Sequence, residues 1–234
     1  MDLDILSQYG SRYIDGALVT VQLLVLASLL GLAIAVPLAL ARVSSNKFLS
    51  IPAYAYIYAF RGTPLLIQLF LIYFGLGQFE TVRESFAWPL LRDEFWAGLI
   101  ALTLNTAAYV AEILRGGIRG VPQGEIEAGR AAGMSPALMY RRLILPKAFR
   151  IAWPAYGNEV VLLLKGSALV STITVLDLMG ETRTIFSRNY SIDTFLYAGI
   201  LYLLITFALT RGFRLGESYL NRHLRTPVVA EGAD

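Results

Sequence analysis

The chain has 234 residues, of which 56% are hydrophobic and 16% are charged, and its formal net charge is +3. Charged residues make up about a quarter of an ordinary soluble domain, so this composition favours an integral membrane protein over a soluble enzyme or a nucleic-acid-binding protein. The sequence has 0 cysteines and 1 histidine, His223. It therefore offers no thiolate metal site, no disulfide framework and poor support for histidine-based catalysis, and we predict no catalytic or metal-binding residue.

Apolar runs of about 20 residues are long enough to cross a bilayer, and the sequence has several of them. Residues 1–16 are weakly acidic and lack the features of a cleavable signal peptide, which predicts a segment lying on the membrane surface. We predict about five spanning helices in a single transmembrane domain covering residues 1–234. Their expected bounds are Ala17–Ala41, Ile51–Gly77, Phe95–Leu114, Ile151–Ile173 and Thr194–Phe213.

Some residues inside these spans predict a bend or a break in the helix. Pro37 is expected to bend the first span, because proline removes a backbone donor. The second span contains Arg61-Gly62-Thr63-Pro64, which predicts a broken or hinged helix. Residues 78–94 are amphipathic and predict a short helix that does not span. The tail Val228–Asp234 has the composition of a disordered segment.

Most of the 20 Lys and Arg residues fall on one side of this five-span topology. They lie in the turn after the first span, in the loop at 120–154 and near the C-terminus. Because positive residues collect on the cytoplasmic side, this distribution predicts a periplasmic N-terminus, a cytoplasmic C-terminus and a cytoplasmic loop at 120–154.

The 120–154 loop has an internal pattern that a simple basic connection would not need. Two short helix-forming pieces meet at Gly133, and Ser135-Pro136 opens the second piece with a good N-cap followed by a good first residue. Glu127-Ala128, Gly133 and Leu145-Pro146 follow a fixed spacing, and Leu145-Pro146 is expected to close the segment. The pattern resembles the EAA loop of permeases of ATP-binding-cassette (ABC) importers. Gly129 and Leu143 depart from it, by a small-for-small and an apolar-for-apolar change.

The resemblance extends to the stretches at 60–66, 105–115 and 157–169, which are similar to the branch of that family that transports polar amino acids, and most similar to histidine, arginine and opine permeases. It implies an all-α, type I (MetI-like) permease fold in a bacterial inner membrane. It also implies an ABC ATPase dimer that binds ATP and Mg²⁺, a second permease subunit, a periplasmic solute-binding protein and an amino acid substrate. Histidine-type systems pair two different permeases, which favours a heterodimer. No cofactor is expected in this chain, which has no phosphate-binding G-x-x-x-x-G-K-[ST] loop.

Two sets of site residues follow. The resemblance implies that the loop docks in a cleft of the ATPase, through Glu125, Glu127, Ala128, Gly133, Met134, Ser135, Tyr140, Arg141, Leu145 and Pro146. Polar residues inside the apolar spans are candidates for a substrate pathway, because such residues usually face a bundle interior or a water-filled cavity. They are Arg61, Gln68, Asn105, Tyr109, Asn158, Glu159, Lys165 and Ser167.

Each candidate also has a structural interpretation. Glu159 could form an ion pair with Lys165 or Arg61, and Glu112 with Arg115 or Arg119. The other polar residues could hold helices together rather than contact a substrate. Two other functions are open at this point. One is a secondary transporter or channel using Glu112, Glu159 and Lys165; the other is an integral membrane enzyme.

Overall fold

The computed structural model describes residues 3–220 and Arg222, and these residues are almost entirely helical. His223 and the tail Val228–Asp234 lie outside the described residues. Three helices are long and apolar enough to cross a membrane unbroken, at Asp4–Val43, Glu94–Arg119 and Asp193–Leu220. Two bent pairs qualify when each is taken as one span: Lys47–Gly62 with Leu65–Gln78, and Pro136–Ile173 with Leu178–Asn189. The described part of the chain thus has three spans, or up to five, which agrees with the predicted number.

The first helix, α1, runs without interruption from Leu3 to Val43. The prediction of a separate surface-lying segment at residues 1–16 is therefore wrong. The early turns of α1 are buried, with Tyr13 1% exposed and its hydroxyl donating to the carbonyl of Thr194 at 3.0 Å. At Gly16 the helix touches backbone, since a Cβ there would lie 2.9 Å from the carbonyl oxygen of Asp177. This tertiary contact explains why the weakly acidic start continues the helix.

The second span is broken where the sequence predicts it. Helix α2 covers Lys47–Gly62, and α3 begins at Leu65 and continues through Phe70 into a π-helical turn and a 3₁₀ turn that end at Gln78. The two parts meet at 105° across Thr63 and Pro64. Two short helices follow, α4 at Glu80–Arg83 and α5 at Trp88–Leu91, which confirms the predicted non-spanning segment.

Helix α6, Glu94–Arg119, forms the centre of the bundle and packs mainly on α1 and on α9, Leu145–Ser167. Its N-cap is Asp93, whose carboxylate accepts hydrogen bonds from the backbone N–H groups of Phe95 and Trp96. Its buried face is rich in small residues, which allow neighbouring helices to approach closely. They include Ala97, Gly98, Ala101, Ala107, Ala108, Ala111 and Gly117.

After α9, a 3₁₀ segment at Ala168–Ile173 ends at Thr174, which has a left-handed backbone (φ 73°). Helix α10, Leu178–Asn189, then begins at Asp177, whose buried side chain accepts a hydrogen bond from the N–H of Gly180 at 2.9 Å. The last helix, α11, covers Asp193–Leu220. The bend of 52° between the fourth span and α10 therefore has an identifiable local cause in Thr174 and the new N-cap.

Candidate coupling loop and membrane cavity

The loop between α6 and α9 contains the two helical pieces that its sequence predicts. Helix α7 covers Gln123–Ala131, and α8 begins at Pro136. Between them Gly133 adopts a left-handed conformation (φ 75°), which costs glycine little and other residues more. Ser135 caps α8, its Oγ accepting from the N–H of Leu138 at 3.3 Å. Local signals thus fix the turn between α7 and α8.

The second piece does not end at Leu145-Pro146, which corrects the sequence prediction. Helix α8, Pro136–Met139, continues through a π-helical turn at Tyr140–Ile144 directly into α9. A proline inside an α-helix lacks one donor and crowds the carbonyl of the preceding turn. The wider π-turn stands immediately before Pro146 and accommodates both effects, because its hydrogen bonds skip one residue more. The loop is thus covalently continuous, as helix, with the fourth span.

The loop has a small apolar interior. Gly129 and Met139 are buried, and a Cβ at Gly129 would lie 3.4 Å from Sδ of Met134. That is an ordinary contact distance, so the site could hold the alanine of the EAA pattern as well. An ion pair between Glu125 and Lys147 links α7 to the first turn of α9.

The predicted coupling residues divide by exposure. Those on the outer surface are Glu127, Ala128, Gly133, Ser135, Arg141 and Pro146, and the half-buried ones are Glu125, Met134, Tyr140 and Leu145. The second group holds the loop together, and Glu125 in particular is engaged within it. The first group is the one that a partner could contact.

An open cavity of about 410 Å³ lies where the α2–α3 break, α6 and α9 meet. Four predicted pathway residues line it: Arg61, Asn105, Tyr109 and Glu159. Thr63, Leu162 and Gly166 also line it and were missed by sequence reasoning. Leu162 and Gly166 stand three and seven residues after Glu159 in α9, so helical spacing from Glu159 could have identified them.

Glu159 is only 8% exposed, and no cationic atom lies within 4 Å of it in the described part of the chain. The suggested ion pairs with Lys165 and Arg61 are therefore not formed. The Arg61 guanidinium instead lies over the ring of Tyr109, at 5.2 Å from its centroid. The cavity thus contains a carboxylate and a guanidinium that do not neutralise each other directly.

The remaining pathway candidates lie outside the cavity. Gln68 is buried and its amide donates to the carbonyl of Phe60 at 2.8 Å and to Oγ of Thr63 at 2.8 Å. Its side-chain oxygen accepts from Asn105 at 3.0 Å. Gln68 therefore links α3 to the end of α2 across the helix break and orients Asn105, but it does not line the cavity.

Three residues of α9 are likewise not brought to the cavity. Asn158 and Lys165 lie on its exposed face, and Ser167 is buried with its hydroxyl donating to the carbonyl of Leu164 at 2.8 Å. Residues 158 and 165 are two turns apart and so share a face, while Glu159 points about 100° away around the helix. The sequence prediction placed both Asn158 and Glu159 in the substrate pathway, although the helix directs these neighbouring residues to different faces.

Comparison with known proteins identifies the family. Residues 24–221 match the family model described as "Binding-protein-dependent transport system inner membrane component". The chain belongs to this family. Its expected identity as the permease subunit of an ABC importer, with no ATPase activity of its own, is thereby confirmed, and it is an inner membrane protein. The two other functions that the sequence left open, a secondary transporter or channel and an integral membrane enzyme, belong to other classes of protein.

Relatives cover nearly the whole chain. The octopine transport system permease of Rhizobium radiobacter is 45% identical over 226 residues, which are 94% of this chain and 92% of the relative. The nopaline transport system permease of Agrobacterium fabrum is 44% identical over 230 residues, 97% and 95% of the two chains. The histidine/lysine/arginine/ornithine transport system permease of Salmonella typhimurium is 47% identical over 220 residues, 92% of each.

Solved structures support the fold. A crystal structure of an amino acid ABC transporter with histidines has a chain that is 36% identical and superposes with a TM-score of 0.83, covering 94% of this chain and 99% of that one. A chain of the methionine ABC transporter MetNI in an inward-facing conformation is 19% identical, with a TM-score of 0.76, covering 91% and 98%. The predicted type I permease fold is therefore confirmed.

Proposed function

We propose that this chain forms part of the membrane pathway of an ABC importer for cationic amino acids or related opines, and that the cavity around Glu159 holds the substrate during passage. One observation carries the proposal: a nearly buried carboxylate, with no cation within 4 Å among the described residues, faces an open cavity of about 410 Å³. An amino acid with a cationic side chain would supply the missing charge. The names of the relatives, which refer to octopine, nopaline, histidine, lysine and arginine, support this substrate class.

The polar groups around Glu159 suit such a ligand. Burying an unpaired charge costs several kcal/mol, and a charge-assisted hydrogen bond from the substrate would offset that cost. Arg61 offers a positive group for the substrate carboxylate, while Asn105 and Tyr109 offer neutral hydrogen-bonding groups. Gln68 fixes the geometry from behind through Asn105. A dipolar ligand is thus matched at both ends, by Glu159 and by Arg61.

The 120–154 loop would transmit the driving force. We infer that its exposed residues, including Glu127 and Arg141, enter a cleft on a partner ATPase that binds ATP and Mg²⁺. Helix α8 is continuous with α9, which carries Glu159, so displacement of the loop would move the cavity wall directly. Movement of packed helices against one another is a common way of converting a domain closure into a change of access.

The complete assembly would contain an ABC ATPase dimer, a periplasmic solute-binding protein and a second permease subunit. The two polar residues on the exposed face of α9, Asn158 and Lys165, are poorly suited to contact lipid, and this favours coverage by the second permease. We expect that subunit to be a related but different chain. We further propose one transmembrane domain over residues 1–234, with the N-terminus periplasmic and the C-terminus cytoplasmic, which the distribution of Lys and Arg supports.

Uptake of radiolabelled arginine by the reconstituted transporter tests the cavity. Glu159→Gln keeps the size of the side chain and removes its charge, so we expect uptake to fall by about tenfold or more, which corresponds to the loss of a charge-assisted hydrogen bond of about 1.5–3 kcal/mol. Glu84→Gln is the control, because Glu84 is an exposed carboxylate outside the cavity. Equal uptake by the two variants, with equal amounts of assembled complex, would refute the assignment of Glu159.

A further inference from the structure

A second cavity, of about 400 Å³, lies on the other side of Arg61 and has a different character. Its lining includes Arg42, Arg61, Glu112 and two tyrosines, Tyr54 and Tyr58. It has Arg61, Gly62 and Thr63 in common with the Glu159 cavity. Arg42, Tyr54 and Tyr58 belong to neither set of residues predicted from the sequence. The amino acid pathway proposed above therefore does not account for this cavity.

The charges at this second cavity do not balance. Three arginines surround the single carboxylate of Glu112: Arg115 at 2.6 Å, Arg42 at 3.8 Å and Arg61 at 4.0 Å. Three positive charges and one negative charge leave a formal charge of +2 at the site. Arg115 contacts Glu112 through two nitrogens, the second at 2.8 Å. Arg42 and Arg61 remain beyond hydrogen-bonding distance from the carboxylate, so their donors are available to another acceptor.

The Arg42 guanidinium is held from two sides. Its Nε is inaccessible to solvent and faces Oε1 of Glu112 at 3.8 Å, and neither atom forms a hydrogen bond within the described residues. The Arg42 guanidinium is also held in place, because it lies over the ring of Tyr54 at 4.7 Å from the centroid. A guanidinium held in this orientation at the wall of a cavity with excess positive charge is suited to bind an oxyanion through its other donors.

We propose that this cavity is a binding site for an oxyanion, held mainly by Arg42, with Arg61 in the wall that the cavity shares with the Glu159 cavity. The ligand class is a phosphate group, carried by an anionic phospholipid or free in solution. Basic pockets between membrane helices on the cytoplasmic side bind lipid headgroups in this way. Tyr58 lines the cavity, and the exposed side chains of Phe48 and Ile51 lie on the same helix, α2, where they provide an apolar surface suited to the acyl chains of a lipid.

The test uses the assembled transporter in nanodiscs of phosphatidylcholine alone, or with about a quarter phosphatidylglycerol, and measures the midpoint of thermal unfolding of this chain. Phosphatidylglycerol should raise the midpoint by about 2–4 °C for each arginine engaged. In Arg42→Gln most of that rise should be lost. In Arg119→Gln it should be retained, since Arg119 is an exposed arginine that lies outside the cavity.

Inorganic phosphate titrated into the phosphatidylcholine nanodiscs, at constant ionic strength, separates the two sources. A saturable rise that depends on Arg42 assigns a soluble anion, and a rise with phosphatidylglycerol alone assigns a lipid. Tyr54→Leu keeps every charge and removes the ring beneath the guanidinium; it should weaken the rise even if Arg42→Gln fails to fold. Equal losses in Arg42→Gln and Arg119→Gln, or no response to either anion in the wild type, would overturn the proposal.

Discussion

The 120–154 loop and the Glu159 cavity are both polar regions of an apolar protein, but they are built differently. The turn of the loop depends on short-range signals, a glycine with positive φ at Gly133 and a serine cap at Ser135, and the ion pair between Glu125 and Lys147 then links its first helix to α9. The cavity combines side chains from the α2–α3 break, α6 and α9, which are up to about a hundred residues apart in the chain. Substitutions in the loop should therefore act locally, while substitutions around the cavity should depend on helix packing.

The largest expected difference between the two regions is in partner binding. Glu127→Lys places a positive charge on the exposed surface of α7, where charge complementarity with a partner would be reversed. We expect co-purification of the ATPase to fall by about tenfold or more, because truncating or reversing an interface charge costs about 2–5 kcal/mol. Glu159→Gln should leave co-purification unchanged and reduce only substrate-dependent uptake.

The same reversal at Glu84, an exposed residue at the end of α4, is the control for Glu127→Lys, since it changes the net charge equally at a position outside the 120–154 loop. If Glu127→Lys retained normal ATPase association and coupled transport, the loop would not be the docking surface. The comparison between a docking region and a substrate region would then have to be abandoned.

The next-largest effect, on the stability of the protein, is expected at the crossing of α6 and α9, where the loop joins the helices that line the cavity. Gly117 of α6 packs against the carbonyl of Ala148 in α9, and a Cβ there would also lie 3.2 Å from the Cβ of Ala152. Gly117→Ala should destabilise the protein by about 1–3 kcal/mol through overpacking of this crossing. Gly116→Ala is the matched control, because no described atom lies within 4 Å of a Cβ at that position.

Thermal unfolding of both variants in the same lipid checks this prediction. Gly116→Ala should match or slightly exceed the wild type, since alanine favours the helix by about 1 kcal/mol over glycine. Equal midpoints for the two variants would show that the crossing of α6 and α9 can separate freely, and that the loop is not tightly connected to the cavity wall.

The smallest effect is expected inside the loop. Gly133→Ala forces a left-handed backbone on alanine, at a cost of about 1–2 kcal/mol, and its side chain would meet no described neighbour within 4 Å. Gly124→Ala, in the open first turn of α7, should have the opposite sign. Hydrogen exchange of the loop amides should increase in Gly133→Ala, with no change around Glu159. A change that spread to the cavity would contradict the local character of the loop.

Much of this protein follows from its sequence alone. The apolar runs determined the spans, because the bilayer sets a minimum length of apolar residues. Gly62, Thr63 and Pro64 determined the break in the second span, and Gly133 with Ser135-Pro136 determined the turn in the loop. The spacing of Glu127, Gly133 and Pro146 was enough to indicate the family. Each of these signals lies within one continuous stretch of about 20 residues or fewer.

The tertiary structure decided the rest, because it depends on which helix faces meet. Only packing against Asp177 shows why α1 continues through Gly16, and only the π-turn shows why the helix passes Pro146. A linear sequence also could not show that Glu159 faces the cavity while Asn158, one position away, faces outward. Consecutive residues diverge by about 100° around a helix, so the contacts between helices, rather than proximity in the chain, assign a polar residue to a site.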